Sequence, residues 1–389
     1  MNNIQHLLEE KKTSILELEK FLYNNPEVEM NEYKAKAKFI ELLEKENFCI
    51  EEDIPNLPTA FVAYKSRGNG PAIGILAEYD ALPGIGHACG HNLIGAIGYG
   101  TAVVIAEMLS EHEGSIYILG SPAEETGKGK TGLIDAGYFN KIDIAMMVHP
   151  MNLTGLKTNM TNLEGYDVTF KGKSSHAGQT PEKGVNALDA AVQFYCGIGM
   201  LRQQIEDCSR IHAIITKGGD APNIIPDIAT VRLEIRHEEI NYFKSLVERV
   251  LNVAKGAAIA TGCSVNIEMF EPQICCMKNN NVMSDLFKKH LIESGVDGKE
   301  IIDTLIKAGG CSDMGNVSQL VPSIHPWIQM ARSTSELHTT EFLEDADSPF
   351  ALNEMFRAIG CLAGVGVDVL KDPGLLSEIK KDFENGNDQ

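Results

Sequence analysis

The residues best suited to chemistry lie in one stretch, Glu78-Tyr-Asp80-Ala-Leu-Pro-Gly-Ile-Gly-His87-Ala-Cys89-Gly-His91-Asn92, which crowds carboxylates, imidazoles and a thiol into a single loop. These are the donor types that hold a divalent metal. Two further segments add to them: Ser121-Pro-Ala-Glu124-Glu125, with adjacent carboxylates, and His149-Pro150. Taken singly each is weak, since a lone buried histidine is usually structural and a Glu-Glu pair is usually a solvated loop. Together, at the ends of successive strands, they favour a metal site.

The elements around them explain how they would meet. Ala72 to Ala77 is apolar and short enough for a buried strand, and Leu93 to Leu109 has helical length. Ser115 to Gly120 and Ile142 to Val148 read as two more strands, so Asp80, Cys89, His91, Glu124, Glu125 and His149 all follow strand ends. Open α/β sheets place ligands at the carboxyl ends of their strands. Residues 3 to 47 read as two helices broken at Asn24-Asn-Pro26, and Ala60 to Tyr64 is expected to pair with Ala72 to Ala77 as a hairpin across Gly68-Asn-Gly70.

The pattern changes near Leu163. Strand Tyr166 to Lys171, helix Pro181 to Ile205, strands Ile211 to Thr216 and Ile228 to Arg236, helix Glu239 to Thr261 and strand Ser264 to Phe270 give the β-α-β-β-α-β order of a ferredoxin-like unit. Leu188, Ala191, Val192, Tyr195 and Ile198 mark the expected buried face of its first helix. Val231, Leu233 and Ile235 alternate with Arg232, Glu234 and Arg236, which implies one wet sheet face. After Pro272 α/β patterning resumes, with a helix from Asn281 to Ser294, the glycine-rich Ala308-Gly-Gly-Cys-Ser-Asp313, a strand near Ser323 to Met330, Glu336-Leu-His338-Thr-Thr and a last helix from Pro349 to Leu370. The fold class expected is α/β: a mixed-sheet catalytic domain, residues 1–162 and 273–389, interrupted by an inserted α+β ferredoxin-like domain, residues 163–272, for which the resemblance given below implies a lid or dimerisation role. His338 then returns to the metal crevice from the far end of the chain.

Composition narrows the partners. A chain of 389 residues suggests two domains, and a net charge of −20 argues against nucleic acid or an anionic membrane as partner. Nine cysteines at irregular spacing, without a CxxC pair, are no disulfide framework, and a reducing cytoplasm is the simplest compartment. The amino terminus lacks a signal core and no apolar run is expected to span a membrane. The tail after Ser377 is expected to fray.

In the order of its motifs the chain resembles the aminoacylase/carboxypeptidase family of zinc peptidases, in the amidohydrolase branch with auxin-conjugate hydrolases, hippurate hydrolase and p-aminobenzoyl-glutamate hydrolase subunits. The motifs are Glu78-Tyr-Asp80-Ala-Leu-Pro, His87-Ala-Cys-Gly-His91, Pro122-Ala-Glu-Glu125, Met147-Val-His149-Pro, Ser174-Ser-His176-Ala, Ala221-Pro-Asn223-Ile-Ile-Pro226, Gly310-Cys-Ser-Asp313 and Leu337-His338-Thr. The resemblance implies that Cys89, His91, Glu125, His149 and His338 ligate one or two divalent metals, with Cys89 where the wider family has a bridging aspartate. It implies Glu124 as general base, Asp80 as support for a metal ligand, and His176, Asn223 and Arg236 as lid residues for the substrate carboxylate or the tetrahedral oxygen, often across a homodimer interface. Asn92 stands where much of the branch has aspartate, and Ser323-Ile-His325-Pro-Trp327 matches the p-aminobenzoyl-glutamate hydrolase and dipeptidase subgroups.

The expected reaction is hydrolysis of an N-acyl amino acid or dipeptide. Thiolate, imidazole and carboxylate suit zinc, and a carboxylate-rich pair of sites also takes manganese. His325 leans toward the substrate pocket, whereas Asp313 serves either function or a turn. Two competing readings are a cysteine hydrolase using Cys89 with His87 or His91, and a catalytically inactive metal-bound partner subunit or amino-acid-binding protein. Glu125 and His149 beside the same loop argue against the first, and Glu124 against the second.

Overall fold

A computed structural model of the chain describes residues 2–307 and 310–386. Helices α1 (Asn2–Asn24) and α2 (Tyr33–Lys45) lead into β1 (Cys49–Glu51), β2 (Phe61–Arg67), β3 (Ala72–Glu78), α3 (His91–Met108), β4 (Gly114–Ser121), α4 (Gly129–Asp135), β5 (Ile144–Met146), β6 (His149–Met151), β7 (Thr154–Gly155) and β8 (Thr158–Asn159). Next come β9 (Asn162–Lys171), α5 (Ala187–Leu201), β10 (Arg210–Lys217), β11 (Ile228–His237), α6 (Ile240–Thr261) and β12 (Ser264–Met269). The chain ends with α7 (Asn281–Glu293), β13 (Ile301–Ile302), β14 (Ile306–Lys307), α8 (Met314–Ser318), β15 (Ser323–Ile324), β16 (Trp327–Gln329), α9 (Thr340–Asp345), α10 (Pro349–Lys371) and α11 (Pro373–Asn385). It divides into two compact units, the first made of residues 1–159, 277–308 and 312–389 and the second of residues 160–276 and 309–311.

In unit 1 a six-stranded sheet has the order β1-β2-β4-β3-β5-β15, with β3, β4, β5 and β15 parallel. The expected hairpin is absent: β4 lies between β2 and β3, antiparallel to the first and parallel to the second. Buried parallel strands gain more here than a local turn, because Ile73 and Ile75 of β3 are fully covered. Helix α3 is buried along nearly its whole length. Glycine lets it lie close on β3, since a Cβ at Gly98 would sit 2.8 Å from the Ala77 Cβ.

The strand expected over Ile142 to Val148 is two pieces, β5 in the large sheet and β6 in a second sheet of order β13-β7-β16-β6. The strand expected over Ser323 to Met330 breaks the same way, β15 pairing with β5 and β16 with β6. Pro326 between them has no N–H to donate to a continuous ladder. Helix α10 has the length and apolarity of a membrane span, yet most of it is buried against the core of this unit. The tail also differs, since α11 runs through Asn385. Ala308 and Gly309 of the glycine-rich stretch lie outside the described residues.

Unit 2 is an antiparallel sheet of order β10-β11-β9-β12 covered by α5 and α6, the split β-α-β-β-α-β arrangement. Helix α5 is shorter than expected: residues 181–183 form a separate turn and the Asn186 side chain caps the helix by accepting from Leu188 N–H. Its buried face is Ala187, Ala190, Ala191, Phe194 and Ile198, while Val192 and Tyr195 are 44% and 39% exposed. The expected face was thus turned; Tyr195 reaches out to donate to the Ala213 carbonyl.

Candidate metal centre

Register places the site. Glu78 at the end of β3 lies opposite Ser121 at the end of β4, so the loops that follow begin level with one another. The Glu125 N–H donates to Asp80 Oδ2 at 3.2 Å and joins the two loops. Ala123 adopts a left-handed φ of +51°, unusual for a residue with a Cβ, and its N–H is held by Glu32 Oε1 at 3.1 Å. The sharp turn there brings a carboxylate oxygen of both Glu124 and Glu125 to 3.9 Å from His91 Nε2. Gly90 (φ +77°) precedes His91, and a Cβ there would lie 2.9 Å from Pro150 Cγ, so this turn also requires glycine.

Hydrogen bonds select the ring atoms that face inward. His91 Nδ1 lies 2.9 Å from the Asp80 carbonyl and 3.0 Å from Asp80 Oδ1, so it donates and leaves the Nε2 lone pair free. His149 Nδ1 similarly donates to the Pro150 carbonyl at 2.7 Å, and its Nε2 stands 3.7 Å from Cys89 Sγ. Metal-binding histidines are commonly fixed by such contacts from the opposite nitrogen. His91 Nε2 is 3.6 Å from Glu78 Oε2 and 3.9 Å from both Glu124 Oε2 and Glu125 Oε1. His338 Nε2 is 3.4 Å from Glu125 Oε1, and its left-handed backbone (φ +65°) is tied to the first loop by an N–H donated to the Ala88 carbonyl.

Three overlapping groups of donor atoms result, each within 4.8 Å: Cys89, His91 and His149; Cys89, Glu125 and His338; and Glu78, His91 and Glu124. His325 is buried beside them, its ring meeting that of His149 edge-on at 5.6 Å. His87 is buried but belongs to none of the groups. Glu78 was not singled out as a donor from the sequence, although a side chain two positions before Asp80 leaves the strand on the same side. Lys130 was missed entirely, and no local pattern marks it.

The chain is 33% identical over 383 residues to mouse Xaa-Arg dipeptidase, covering 94% of this chain and 88% of that protein. Against one of the subunits of Escherichia coli p-aminobenzoyl-glutamate hydrolase it is 25% identical over 442 residues, covering 94% and 91%. A Bacillus subtilis dinuclear metal-binding peptidase of the M20 family has the same fold, with a TM-score of 0.70 at 24% identity over 92% of this chain and 98% of that one. Residues 160–261 match the peptidase dimerisation domain. The chain belongs to the M20 peptidase family. As an M20 peptidase it is a metal-dependent hydrolase of amide bonds.

The atoms of this M20 site fit a divalent ion. Glu78 Oε2, His91 Nε2 and Glu125 Oε1 are buried without a hydrogen-bond partner among the described residues. Such atoms cost about 1–3 kcal/mol each unless something satisfies them, and carboxylate oxygens at 3.6 and 3.9 Å from the His91 Nε2 lone pair invite a cation. The surrounding charges are strongly perturbed. Burial, then the carboxylates of Glu78 and Asp313, push Glu124 well above the ordinary carboxylate range against the pull of Lys130 and His91. Burial raises Glu125 too, but the facing imidazoles of His338 and His91 bring it below its usual value. Burial holds His149 neutral, lowered to about 4.

Lys130 of α4 lies behind Glu78. Its ammonium contacts both Glu78 and Asp313, with all three side chains 0–1% exposed. Asp313 precedes α8 but makes no capping bond with it; it accepts from Lys130 Nζ and from Lys130 N–H at 2.8 Å, which resolves its role in favour of a buried pair. Burial raises its carboxyl to about 6 despite that cation.

The three residues expected in the lid lie in unit 2. His176 and Asn223 are exposed on neighbouring loops, bridged where Ala177 N–H donates to the Asn223 carbonyl at 3.0 Å. His176 Nδ1 accepts from Gly178 and Gln179 N–H at 3.2 Å, which leaves an Nε2–H to donate outward. Arg236 is not with them. It lies eight positions along β11 from Ile228, roughly 26 Å at strand rise, and pairs with Glu234 at 2.9 Å.

Proposed function

We propose that the M20 site hydrolyses the amide bond of a dipeptide or N-acyl amino acid, with Cys89, His91, Glu125, His149 and His338 holding one or two divalent ions, zinc or manganese. The chemistry supplied at such a centre is an acidified water and a polarised carbonyl. Glu124 takes the proton from the attacking water and delivers it to the departing amine nitrogen. Its raised affinity for a proton suits both halves of that transfer. Asp80 fixes the His91 ring, and His325 borders the substrate beside His149. His176 and Asn223 recognise the substrate carboxylate or the tetrahedral oxygen, and Arg236, remote from them within one chain, is assigned to the same role through a homodimer partner. The relatives act on Xaa-Arg dipeptides and p-aminobenzoyl-glutamate, so both classes are the first substrates to try. The cytoplasm is the proposed compartment, in keeping with nine cysteines at irregular spacing.

The observation that carries this reading is the convergence of Glu124 with the bare Nε2 of His91 at 3.9 Å. A cysteine nucleophile is disfavoured because burial pushes the Cys89 thiol strongly up, leaving little thiolate. The test is a metal-supplemented screen of dipeptides, acylated amino acids and p-aminobenzoyl-glutamate, read as released amine. Amine release that survives chelation and stops on alkylation would replace the metal mechanism with the thiol one.

A further inference from the structure

Unit 2 holds a cavity of about 410 Å³ beside the loops that carry His176 and Asn223. Ala177, Leu188, Ile224, Ile225 and Pro226 are among its walls, and Asp220 is the one ionisable group among the described residues that line it. We propose that this cavity takes the side chain of the amino acid released by hydrolysis, and that Asp220 selects arginine or lysine there over glutamate. The inference rests on the assignment of the substrate carboxylate to His176 and Asn223, and it decides between the two substrate classes which that assignment leaves open.

The backbone ties the cavity to those two residues. Ala177 N–H donates to the Asn223 carbonyl at 3.0 Å and Ile225 N–H to the Ser175 carbonyl at 2.9 Å, so the two segments run as a short ladder. Ala177 and Ile224, the chain neighbours of His176 and Asn223, both line the cavity. Ile224 N–H closes a turn on the Ala221 carbonyl at 3.2 Å. Asp220 enters that turn three positions before Asn223, a separation of at most about 11 Å. An extended arginine side chain carries its cation roughly 6 Å from the Cα that bears the carboxylate. A substrate anchored at Asn223 by its carboxylate is therefore of the length to bring that cation to Asp220.

The walls suit a long side chain with a charged tip. Leu188, Ile224, Ile225 and Pro226 offer apolar contact to the methylene stem, and the carboxylate of Asp220 meets the head. The far wall is held to the start of α5, where Ala187 N–H donates to the Pro226 carbonyl at 2.8 Å. Asp220 makes no hydrogen bond or ion pair among the described residues, so its oxygens are open to a ligand. A carboxylate takes a guanidinium through two parallel hydrogen bonds and repels a second carboxylate. The side chain of a substrate ending in glutamate would face Asp220 with no cationic residue among the described lining to receive it. Charge therefore separates the two substrate classes more sharply than size does.

Alanyl-arginine, alanyl-citrulline and alanyl-glutamate test the assignment on the full chain supplied with metal. Citrulline keeps the shape of arginine without its charge. In the wild type kcat/KM should fall about tenfold or more from arginine to citrulline, and further to glutamate. Asp220 is exposed, so substitutions there spare the fold. Asp220→Asn should erase most of the arginine-to-citrulline ratio, and Asp220→Lys should place glutamate ahead of arginine. Calorimetry with free arginine and free citrulline reads binding apart from turnover, and the gap in Kd should be present in the wild type and lost in Asp220→Asn. Equal treatment of arginine and citrulline by the wild type, or a preference that Asp220→Asn leaves intact, would overturn the role of Asp220. If none of the three peptides is cleaved while the Kd gap and its loss in Asp220→Asn are both seen, the cavity stands and the hydrolytic reading falls.

Discussion

Both units contain acid–base pairs, and the two sets behave oppositely because of where water is. In unit 1 Lys130, Glu78 and Asp313 are sealed from solvent, and Glu78 keeps an unpaired oxygen pointing to His91. In unit 2 Arg232 grips Asp167 through two hydrogen bonds on the wet face of the sheet, with the arginine side chain 48% exposed. Desolvating charges costs several kcal/mol per ion, whereas an exposed pair gains little because water competes for each partner. The sealed network therefore marks chemistry, and the open one keeps a sheet face soluble.

The comparison can be broken most forcefully at the base. Glu124→Gln should leave metal content intact while lowering kcat by about a hundredfold to ten-thousandfold; near-wild-type turnover at saturating metal would move the base elsewhere. Lys130→Met should come next. It leaves the Glu78 and Asp313 carboxylates buried and uncompensated, and a urea titration should show a loss of about 3–5 kcal/mol. A loss comparable with that of a surface substitution would mean that the triad is not sealed.

A third site lies between the extremes. Glu19 is 1% exposed and receives Asn92 Nδ2 at 2.8 Å, with no buried cation. Burial raises its carboxyl from 4.5 to about 7. The folded state therefore favours the protonated acid: the stability it supplies is complete below pH 4.5 and is lost as pH rises through about 7. Glu19→Gln should gain on the wild type across that window and keep a constant lead above it, measured by urea unfolding at a series of pH values. Parallel profiles would show that Glu19 ionises without cost. The smallest effect is expected from Arg232→Ala, which should leave the melting midpoint unresolved from wild type.

The legible part of this protein was local. The Asp80 to His91 spacing, the Glu124-Glu125 pair and the alternation of Val231, Leu233 and Ile235 all depend on neighbours within a few residues, and each lies where its pattern implies. The face of α5 was misjudged for a related reason: Tyr195 counts as apolar in a helical pattern, but its hydroxyl is met at the surface by Ala213. A buried hydroxyl would have needed a partner inside the core. Reading β2 and β3 as a hairpin failed because a glycine turn signals only that the chain reverses, not which strand fills the space beside it.

By itself, then, the sequence determined the kinds of donor atoms, the strand ends that carry them and the order of the inserted unit, since periodicity and loop spacing are properties of adjacent residues. Tertiary structure alone decided the rest. Lys130 meets Glu78 across 52 residues and Asp313 across 183. His149 faces His325 because two separate strands bend together at Pro326. No local pattern encodes such choices: a buried charge is stabilised by whichever opposite charge the packed core brings within reach, and that is settled only when the sheet order is complete.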